Sequence, residues 1–341
     1  MIYEEVLRPL LFHMSPDAAH EVSRTVFEKG SLWRLLSPFY SYDDERLRAS
    51  VFGIDLGSPV GLAAGYDKDA TMTVAMESLD FDFITIGSVM GKGYLGNRWP
   101  RLVRKEKELG LVNAMGLNSE GVDVVARKVK SMRPGKPRIG SIAGYSIEEC
   151  LRVVEVLQPY VDAIEVNTSS PTFKGSWCQH PDKVEELLGR VKRLSSKPTF
   201  VKIPPYADET SRNGTFNIAG VSQSLGFGIT ASNTVPVAEI GLSKGFGGLS
   251  GKPLTETTKR IVGDISTELG WKTPIVACGG IFTGRDAFEM IGAGADACEV
   301  LTSLIYRGPS TAKRMKMELV EEMKKSGFSS VRDLKGALLR R

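Results

Sequence analysis

A short apolar run rich in β-branched residues recurs along the chain from about residue 59, and each run ends in small or polar residues. Runs of this length, bounded by glycine, proline or serine, are typical of strands that are buried on both faces. We therefore predict eight strands, within residues 59–65, 81–89, 137–144, 161–170, 199–205, 227–233, 274–280 and 297–304.

Amphipathic segments lie between several of these runs. Leu151, Val154 and Leu157 recur at helical spacing, as do the apolar residues of 184–191. Strands that alternate with helices indicate a parallel sheet, and eight units within about 250 residues predict a closed (β/α)8 TIM barrel over residues 46–341. The alternative, an open doubly wound sheet, calls for a GxGxxG motif after an early strand, and we expect none there.

Two segments fall outside this repeat. Residues 1–45 predict a short N-terminal helical extension with two apolar stripes that are separated near Pro16. The first stripe consists of Tyr3, Val6, Leu7, Leu10 and Leu11, and the second consists of Ala19, Val22, Val26 and Leu32. The extension is either a cap on the bottom of the barrel or a docking element for a membrane surface or an apolar partner. Its four basic and eight acidic residues oppose attraction to anionic lipid. Residues 91–113 predict a hairpin or a long loop.

Composition narrows the function classes. The chain is 42% hydrophobic and 25% charged with a net charge of +4, and its basic residues are mixed with acidic ones, which is not the pattern of a nucleic-acid-binding surface. The four cysteines lack CxxC spacing and the three histidines are far apart, so we expect neither a disulfide framework nor a metal site. We find no signal peptide and no run of about 18 apolar residues, and expect a location in the cytoplasm or on the cytoplasmic side of a membrane.

The predicted strand ends carry the candidate chemistry, because barrel active sites form at the C-terminal ends of the strands. Amide and hydroxyl groups dominate these positions, with two lysines and few acids. Such a rim suits a planar, oxygen-rich, anionic ligand. The candidates are Ala64, Gly65, Tyr66, Asp67, Lys68, Ser88, Asn113, Ala114, Met115, Gly116, Leu117, Ser141, Asn167, Ser170, Lys202, Ser232, Asn233, Thr234, Gly279, Gly280, Thr302 and Ser303.

Four of these features have competing interpretations. Gly279-Gly280 either closes a tight turn or binds phosphate together with the end of strand eight. Lys202 either faces outward or points into the barrel, where it needs an anionic partner such as a reduced flavin. Ser169-Ser170 either caps a turn or supplies a base, but without a GxSxG motif a hydrolase triad is disfavoured. Lys68 is either solvated or a ligand-binding residue.

At these positions the chain resembles the dihydroorotate dehydrogenase family of flavin barrels. The matching segments, in family order, are GLAAGYDKDA, GNRWPRLVR, LVNAMGLNSEG, VNTSSP, VKIPP, GGLSGKPL, ACGGIFTGRDA and SLIYRGPS. The N-terminal LRPLLFHMSPDAAHEVS is similar to the helical extension of the membrane-associated, quinone-using class 2 enzymes.

The resemblance implies a role for each matched residue. Ser170 is the catalytic base that removes the C5 proton of dihydroorotate, while C6 delivers hydride to FMN. Orotate is held by Lys68, Asn113, Ala114, Met115, Gly116, Leu117, Asn167, Thr172, Asn233 and Thr234. FMN is held by Ala64, Gly65, Tyr66, Asp67, Lys68, Ser88, Ser141, Asn167, Lys202, Ser232, Gly251, Gly279, Gly280, Leu301, Thr302 and Ser303. The implied function is FMN-dependent oxidation of dihydroorotate in pyrimidine (UMP) biosynthesis, with a quinone as acceptor and membrane contact through residues 1–45.

Several positions depart from the family pattern. Thr172 replaces the usual asparagine of SSPN, Ala114 replaces a common arginine, Leu301 replaces a common tyrosine, and residues 140–145 are closer to class 1 enzymes. A site that pairs a polar group of its substrate discriminates strongly through that contact. A related FMN barrel oxidoreductase that acts on another dihydropyrimidine or an enoate is therefore one alternative. A flavin-free, phosphate-binding aldolase or isomerase with Lys202 as its Schiff base is another.

Overall fold

The computed structural model describes residues 2–169 and 181–340. Its strands are β1 (Ala49–Val51), β2 (Ile54–Leu56), β3 (Val60–Leu62), β4 (Ile84–Val89), β5 (Leu102–Lys105), β6 (Gly110–Asn113), β7 (Arg138–Ile142), β8 (Ala163–Asn167), β9 (Thr199–Ile203), β10 (Gly228–Ala231), β11 (Val235–Ala238), β12 (Phe246–Gly251), β13 (Ile275–Cys278) and β14 (Ala297–Val300).

The described α-helices are α1 (Arg8–His13), α2 (Pro16–Phe27), α3 (Gly30–Tyr40), α4 (Thr73–Ser78), α5 (Val122–Ser131), α6 (Ile147–Leu157), α7 (Pro181–Leu194), α8 (Glu209–Ser224), α9 (Thr255–Glu268), α10 (Gly284–Gly292), α11 (Thr302–Arg307), α12 (Thr311–Lys325) and α13 (Val331–Leu334). A π-helical turn, Tyr3–Leu7, precedes α1, and 3-10 turns lie at Glu45–Leu47, Glu106–Glu108, Gln158–Tyr160 and Lys252–Leu254.

Eight parallel strands close into a barrel in the order β10-β13-β14-β3-β4-β7-β8-β9. Each of the eight predicted runs contains one of these strands, and helices follow them, so the predicted (β/α)8 barrel is confirmed. The segment GKGYLG at 91–96 has GxGxxG spacing but leads into the hairpin β5–β6 and not into a helix.

Two layers of side chains fill the lower and middle barrel. The lower layer is apolar and contains Phe83, Ile139, Ala163, Phe200, Val276 and Ala297. Because side chains on one face of a strand recur every second residue, the next layer contains Thr85, Ser141, Glu165, Lys202, Thr230, Cys278 and Glu299. Polar groups therefore lie directly beneath the C-terminal end of the barrel.

The bottom of the barrel is covered by the antiparallel hairpin β1–β2, and not by the N-terminal helices. Val51 and Leu56 of this hairpin pack in the same cluster as the lower layer. The first helices instead lie at the C-terminal end of the strands, where Leu7, Leu11 and Ala19 line a cavity together with Gly65 and Gly280. The interpretation of residues 1–45 as a bottom cap is wrong, because the hairpin already buries the apolar lower layer.

The N-terminal extension contains three helices, so Leu32 belongs to α3 and not to the predicted second stripe. Polar contacts fasten the extension to the barrel. The Tyr3 hydroxyl donates to the Ile305 carbonyl over 2.6 Å, and Asp17 accepts a hydrogen bond from the Arg101 amide over 3.0 Å. The Arg104 guanidinium donates to the carbonyls of Leu11, Phe12 and Met14 at the end of α1.

The predicted hairpin within residues 91–113 is confirmed as β5–β6. It forms one half of a four-stranded sheet, ordered β11-β12-β6-β5, that stands outside the barrel. The other half, β11–β12, was not predicted, because residues 235–251 do not repeat the apolar pattern of the barrel strands. This sheet brings Asn113 and Gly251 beside the strand ends.

Candidate active site

A cavity of about 590 Å³ lies between the N-terminal helices and the C-terminal ends of the barrel strands. Apolar side chains of the first two helices line one end, including Leu10, Leu11 and Val22. Lys202, Cys278 and Glu299 from the barrel interior line the other end. A volume of this size is in the usual range for a cofactor or small-molecule site.

The cavity brings together most of the predicted site residues. Those that line it are Ala64, Gly65, Tyr66, Lys68, Ser88, Asn113, Met115, Gly116, Leu117, Asn167, Lys202, Ser232, Asn233, Thr234, Gly251, Gly279, Gly280, Leu301, Thr302 and Ser303. They come from distant parts of the sequence, and closure of the barrel makes them neighbours.

A hydrogen-bonded network of amides and hydroxyls spans β4, β7, β8 and the end of β10. The Asn167 amide donates to Ser88 Oγ over 2.8 Å, and Ser88 Oγ lies 3.0 Å from Ser141 Oγ. The Asn233 amide donates to Ser169 Oγ over 3.0 Å and approaches Asn167 Oδ1 at 3.4 Å. Because each amide is held by its neighbours, the donors and acceptors that remain have fixed directions.

Lys68 places a cationic group in the cavity wall. No carboxylate of the described residues lies within ion-pair distance of its ammonium group, although Asp69 follows it in the sequence. Burial lowers the pKa of Lys68 to about 8. An anion bound in the cavity would remove this desolvation penalty, so Lys68 is suited to hold the carboxylate of a ligand.

Lys202 points into the barrel and has two acidic neighbours that the sequence analysis did not select. Its Nζ lies 3.8 Å from Glu165 Oε2 and 3.6 Å from Glu299 Oε2, and Thr85 Oγ1 donates to Glu299 Oε1 over 2.9 Å. Burial by itself lowers the pKa of Lys202, but Cys278 and the two carboxylates raise it above its usual value. The outward-facing interpretation is therefore wrong, and the expected anionic partners include residues of the chain itself.

Gly279 and Gly280 end β13 near the start of α11, where Thr302 and Ser303 lie. Thr302 Oγ1 lies 2.9 Å from Ser250 Oγ, whereas Ser303 Oγ is buried and has no hydrogen-bond partner among the described residues. An unsatisfied buried hydroxyl beside the first N–H groups of a helix fits an anion such as a phosphate.

The two glycines meet a packing requirement as well. Both have positive φ, +118° at Gly279 and +73° at Gly280. A Cβ atom on Gly280 would lie 2.3 Å from the Thr255 amide nitrogen, and one on Gly279 would lie 2.9 Å from Thr258 Oγ1. Glycine is thus needed here because the start of α9 approaches the strand end closely.

Several predicted residues do not face the cavity with their side chains. The Asp67 carboxylate accepts hydrogen bonds from Thr71, Met72 and Thr73, so it organises its own loop. Ala114 is fully buried in a cluster with Val112 and Leu242. Ser141 is fully buried, and its hydroxyl is hydrogen-bonded to the hydroxyl of Ser88. Ser170 and Thr172 lie outside the described residues.

The apolar end of the cavity includes residues that the sequence analysis did not select. His20 of α2 packs edge-on against Tyr66 with a centroid separation of 6.4 Å, and burial lowers the pKa of His20. Phe12 and Phe282 line the same cavity. Helical spacing predicted the apolar face of these helices, but only tertiary packing shows which barrel residues that face covers.

Comparison with known proteins agrees with this geometry. A family model described as dihydroorotate dehydrogenase matches residues 46–323. The dihydroorotate dehydrogenase (quinone) of Gloeobacter violaceus is 34% identical over 346 residues, which cover 96% of this chain and 97% of the relative. The enzyme of the same name from Nitratiruptor sp. is 30% identical over 355 residues and the full length of both chains.

Solved structures show the same likeness. Ligand-free DHODH from Eimeria tenella superposes with a TM-score of 0.84 at 29% identity, covering 96% of this chain and 100% of that chain. The complex of that enzyme with ferulenol gives a TM-score of 0.83 at 28% identity, covering 96% of both chains. The chain therefore belongs to the dihydroorotate dehydrogenase family, and its full-length relatives are of the quinone-using class 2 type.

Proposed function

We propose that this protein is a class 2 flavoprotein oxidoreductase that oxidises dihydroorotate to orotate in pyrimidine biosynthesis and passes the electrons through FMN to a quinone. The proposal rests on Lys68, whose ammonium has no carboxylate partner among the described residues and which lines the cavity beside amide and hydroxyl side chains. This arrangement matches a small, planar, anionic substrate, and the relatives that cover the chain are dihydroorotate dehydrogenases.

The residues around the cavity fit FMN. The buried, unsatisfied Ser303 hydroxyl, together with Thr302 and the Gly279-Gly280 turn, would hold the phosphate. Lys202, Ser88 and Asn167 would border the ring. When bound, FMN supplies the two-electron acceptor that the amino-acid side chains lack.

The remaining cavity residues would hold the substrate. Lys68 would pair with its carboxylate, and Asn113, Asn167, Asn233 and Thr234 would pair with the pyrimidine amides. Ser170 would remove the C5 proton as the base, and Thr172 would contact the ring. A fixed set of amides favours a substrate that satisfies all of them, because a missing partner leaves a buried polar group unpaired.

The N-terminal helices would admit the quinone and contact a membrane. Ten of the twenty large hydrophobic side chains that are exposed in the described part of the chain lie between Ile2 and Phe39. Among the described residues we find no helix that is both long and apolar enough to cross a bilayer. We therefore propose a peripheral contact through residues 1–45 on the cytoplasmic side of a membrane.

The aldolase alternative conflicts with the environment of Lys202. A Schiff-base lysine reacts as the neutral amine, which is favoured by a lowered pKa. Glu165 and Glu299 instead favour the charged form of Lys202. The neighbouring groups thus make this lysine an electrostatic residue and not a nucleophile.

A flavin spectrum followed by anaerobic titration with dihydroorotate tests the proposal. We expect purified protein to be yellow and to be bleached by dihydroorotate, and Ser170→Ala to bleach at least about a hundredfold more slowly at neutral pH. Colourless protein that does not take up FMN would contradict the proposed cofactor. Bleaching by another dihydro compound but not by dihydroorotate would contradict the substrate, and full-rate bleaching of Ser170→Ala would contradict the base.

A further inference from the structure

The middle layer of the barrel contains more acidic than basic groups. Lys202 is 4% exposed, and Glu165 and Glu299 are each 1% exposed. The three side chains come from β9, β8 and β14, so Glu299 lies across the barrel from Glu165. One ammonium group therefore has to balance two buried carboxylates.

Hydrogen bonds from neighbouring groups do not compensate for the excess negative charge. Both carboxylate oxygens of Glu165 and Oε2 of Glu299 have no hydrogen-bond partner among the described residues. The distances from Lys202 Nζ, 3.8 Å and 3.6 Å, are those of ion pairs that share one cation. A buried charge without a partner is destabilising, so the arrangement favours retention of one proton by the carboxylate pair.

The polar and titratable groups around the two carboxylates come from the strands of the same layer. Thr85 of β4 donates to Glu299, Glu165 lies on β8, Lys202 on β9 and Cys278 on β13. In the same layer, β7 and β10 contribute only the hydroxyls of Ser141 and Thr230, and Ala63, directly after β3, has no polar side chain. Burial raises the pKa of Glu299, and Lys202 opposes that effect.

We propose that Glu165 and Glu299 are positioning residues for Lys202 that hold one exchangeable proton beneath the flavin, so that flavin reduction is coupled to protonation of this pair. The inference rests on the proposed binding of FMN. Lys202, Cys278 and Glu299 line the cavity where the ring would lie. Negative charge added to the ring competes for Lys202, which raises the proton affinity of the carboxylates.

The coupling has a defined stoichiometry. Two electrons supplied by the reductant and one proton convert the oxidised ring to its anionic reduced form. At pH values where the carboxylate pair is unprotonated beside the oxidised ring and binds its one proton on reduction, that proton comes from solvent, which gives two protons for each two electrons. At the pH values where this occurs, the ratio of reduced to oxidised flavin at a fixed applied potential falls about a hundredfold per pH unit instead of about tenfold.

Spectroelectrochemical titration of the FMN-loaded protein over a pH series tests this coupling. We expect the native protein to show a pH interval with two-proton dependence. Glu299→Gln and Glu165→Gln each leave one carboxylate opposite Lys202, so each should show one-proton dependence throughout. The double variant leaves Lys202 without a carboxylate partner in this layer, so its full positive charge acts on the flavin. The flavin should therefore be reduced at a higher potential than in either single variant.

Glu256→Gln is the matched control, because it is the same substitution at a side chain that is 78% exposed on α9. It should retain the behaviour of the native protein. One-proton dependence of the native protein at every pH would overturn the inference, even if no variant folds. Retention of the two-proton interval by Glu299→Gln would overturn it too. Failure to bind FMN would instead contradict the proposed function, so the two failures are distinguishable.

Discussion

At the scale of single residues, the cavity combines cations and amides that the sequence holds far apart. Lys202 is buried and Lys68 is partly buried, and their surroundings shift their pKa values in opposite directions. Burial lowers the pKa of Lys68 to about 8, whereas nearby anionic groups raise the pKa of Lys202. Lys68 is therefore the cation that is available to a ligand.

Orotate affinity should report the charge of Lys68. The charged form predominates below about pH 8, so we expect the Kd of orotate to be flat there and to rise toward about tenfold per pH unit above it. Spectral titration of the flavin with orotate measures this Kd. Lys68→Arg retains a cation and should remove the rise, whereas Lys68→Met should weaken binding about 10- to 150-fold at neutral pH. An unchanged pH profile in Lys68→Met would show that Lys68 does not hold the anion.

At the scale of elements, the first helices close one end of the cavity and are fastened to β5 and α11. Arg104 holds the end of α1 through three carbonyls, and Tyr3 is bonded to α11. Side chains of the same helices line the cavity and also reach solvent. Leu10 is 63% exposed and Val22 is 43% exposed. Such an element suits an apolar acceptor that enters from a membrane.

Removal of residues 1–40 should abolish quinone reduction while a soluble artificial acceptor is still reduced. The apolar end of the cavity is lost, but the barrel residues remain. Leu10→Asp and Val22→Asp test the same point in the full chain, and each should lower quinone turnover at least about tenfold through a charge in the apolar entrance. Leu95→Asp is the control, since Leu95 is 95% exposed on a different segment. Equal quinone turnover in all variants would contradict the assignment.

At the scale of the whole molecule, a buried ion cluster connects the last long helix to the lower part of the barrel. Lys316 of α12 is 1% exposed, and its Nζ lies 2.8 Å from Asp80 and 2.6 Å from Asp82. Asp80 also accepts a hydrogen bond from the Tyr42 amide, which joins the N-terminal extension to the same cluster. Burial raises the pKa of Asp82, but Lys316 and Lys136 lower it below its usual value.

Lys316→Met should lower the free energy of unfolding by about 3–5 kcal/mol at neutral pH, because it leaves two buried carboxylates short of a cation. The difference should shrink at acidic pH, because Lys316 and Lys136 hold the pKa of Asp82 below its usual value and the stability this contributes is lost as the pH falls through that lowered pKa. Urea unfolding over a pH series measures it. Lys324→Met, on the exposed side of the same helix, should change stability by less than about 0.5 kcal/mol. A similar loss in both variants would contradict the role of the cluster.

The barrel and most of its rim were predictable from local patterns. Apolar runs that end in small and polar residues repeat eight times, and closure necessarily brings Lys68, Asn167, Asn233 and Gly280 to one end. The inward direction of Glu165 and Glu299 could have been inferred in the same way, since each lies two residues after an apolar alanine of its strand, but their approach to Lys202 could not. Their acidic character in an apolar run was the signal.

The order and type of the barrel elements, and most of the residues at the strand ends, were thus determined by the sequence, because hydrophobic periodicity is a local property. Only the tertiary structure decided that the first helices cover the C-terminal end of the barrel while β1–β2 covers the bottom. It alone placed Glu165 and Glu299 around Lys202 and turned Asp67 and Ala114 away from the cavity. Those outcomes depend on packing and charge balance between segments that are distant in sequence, and local periodicity carries no information about them.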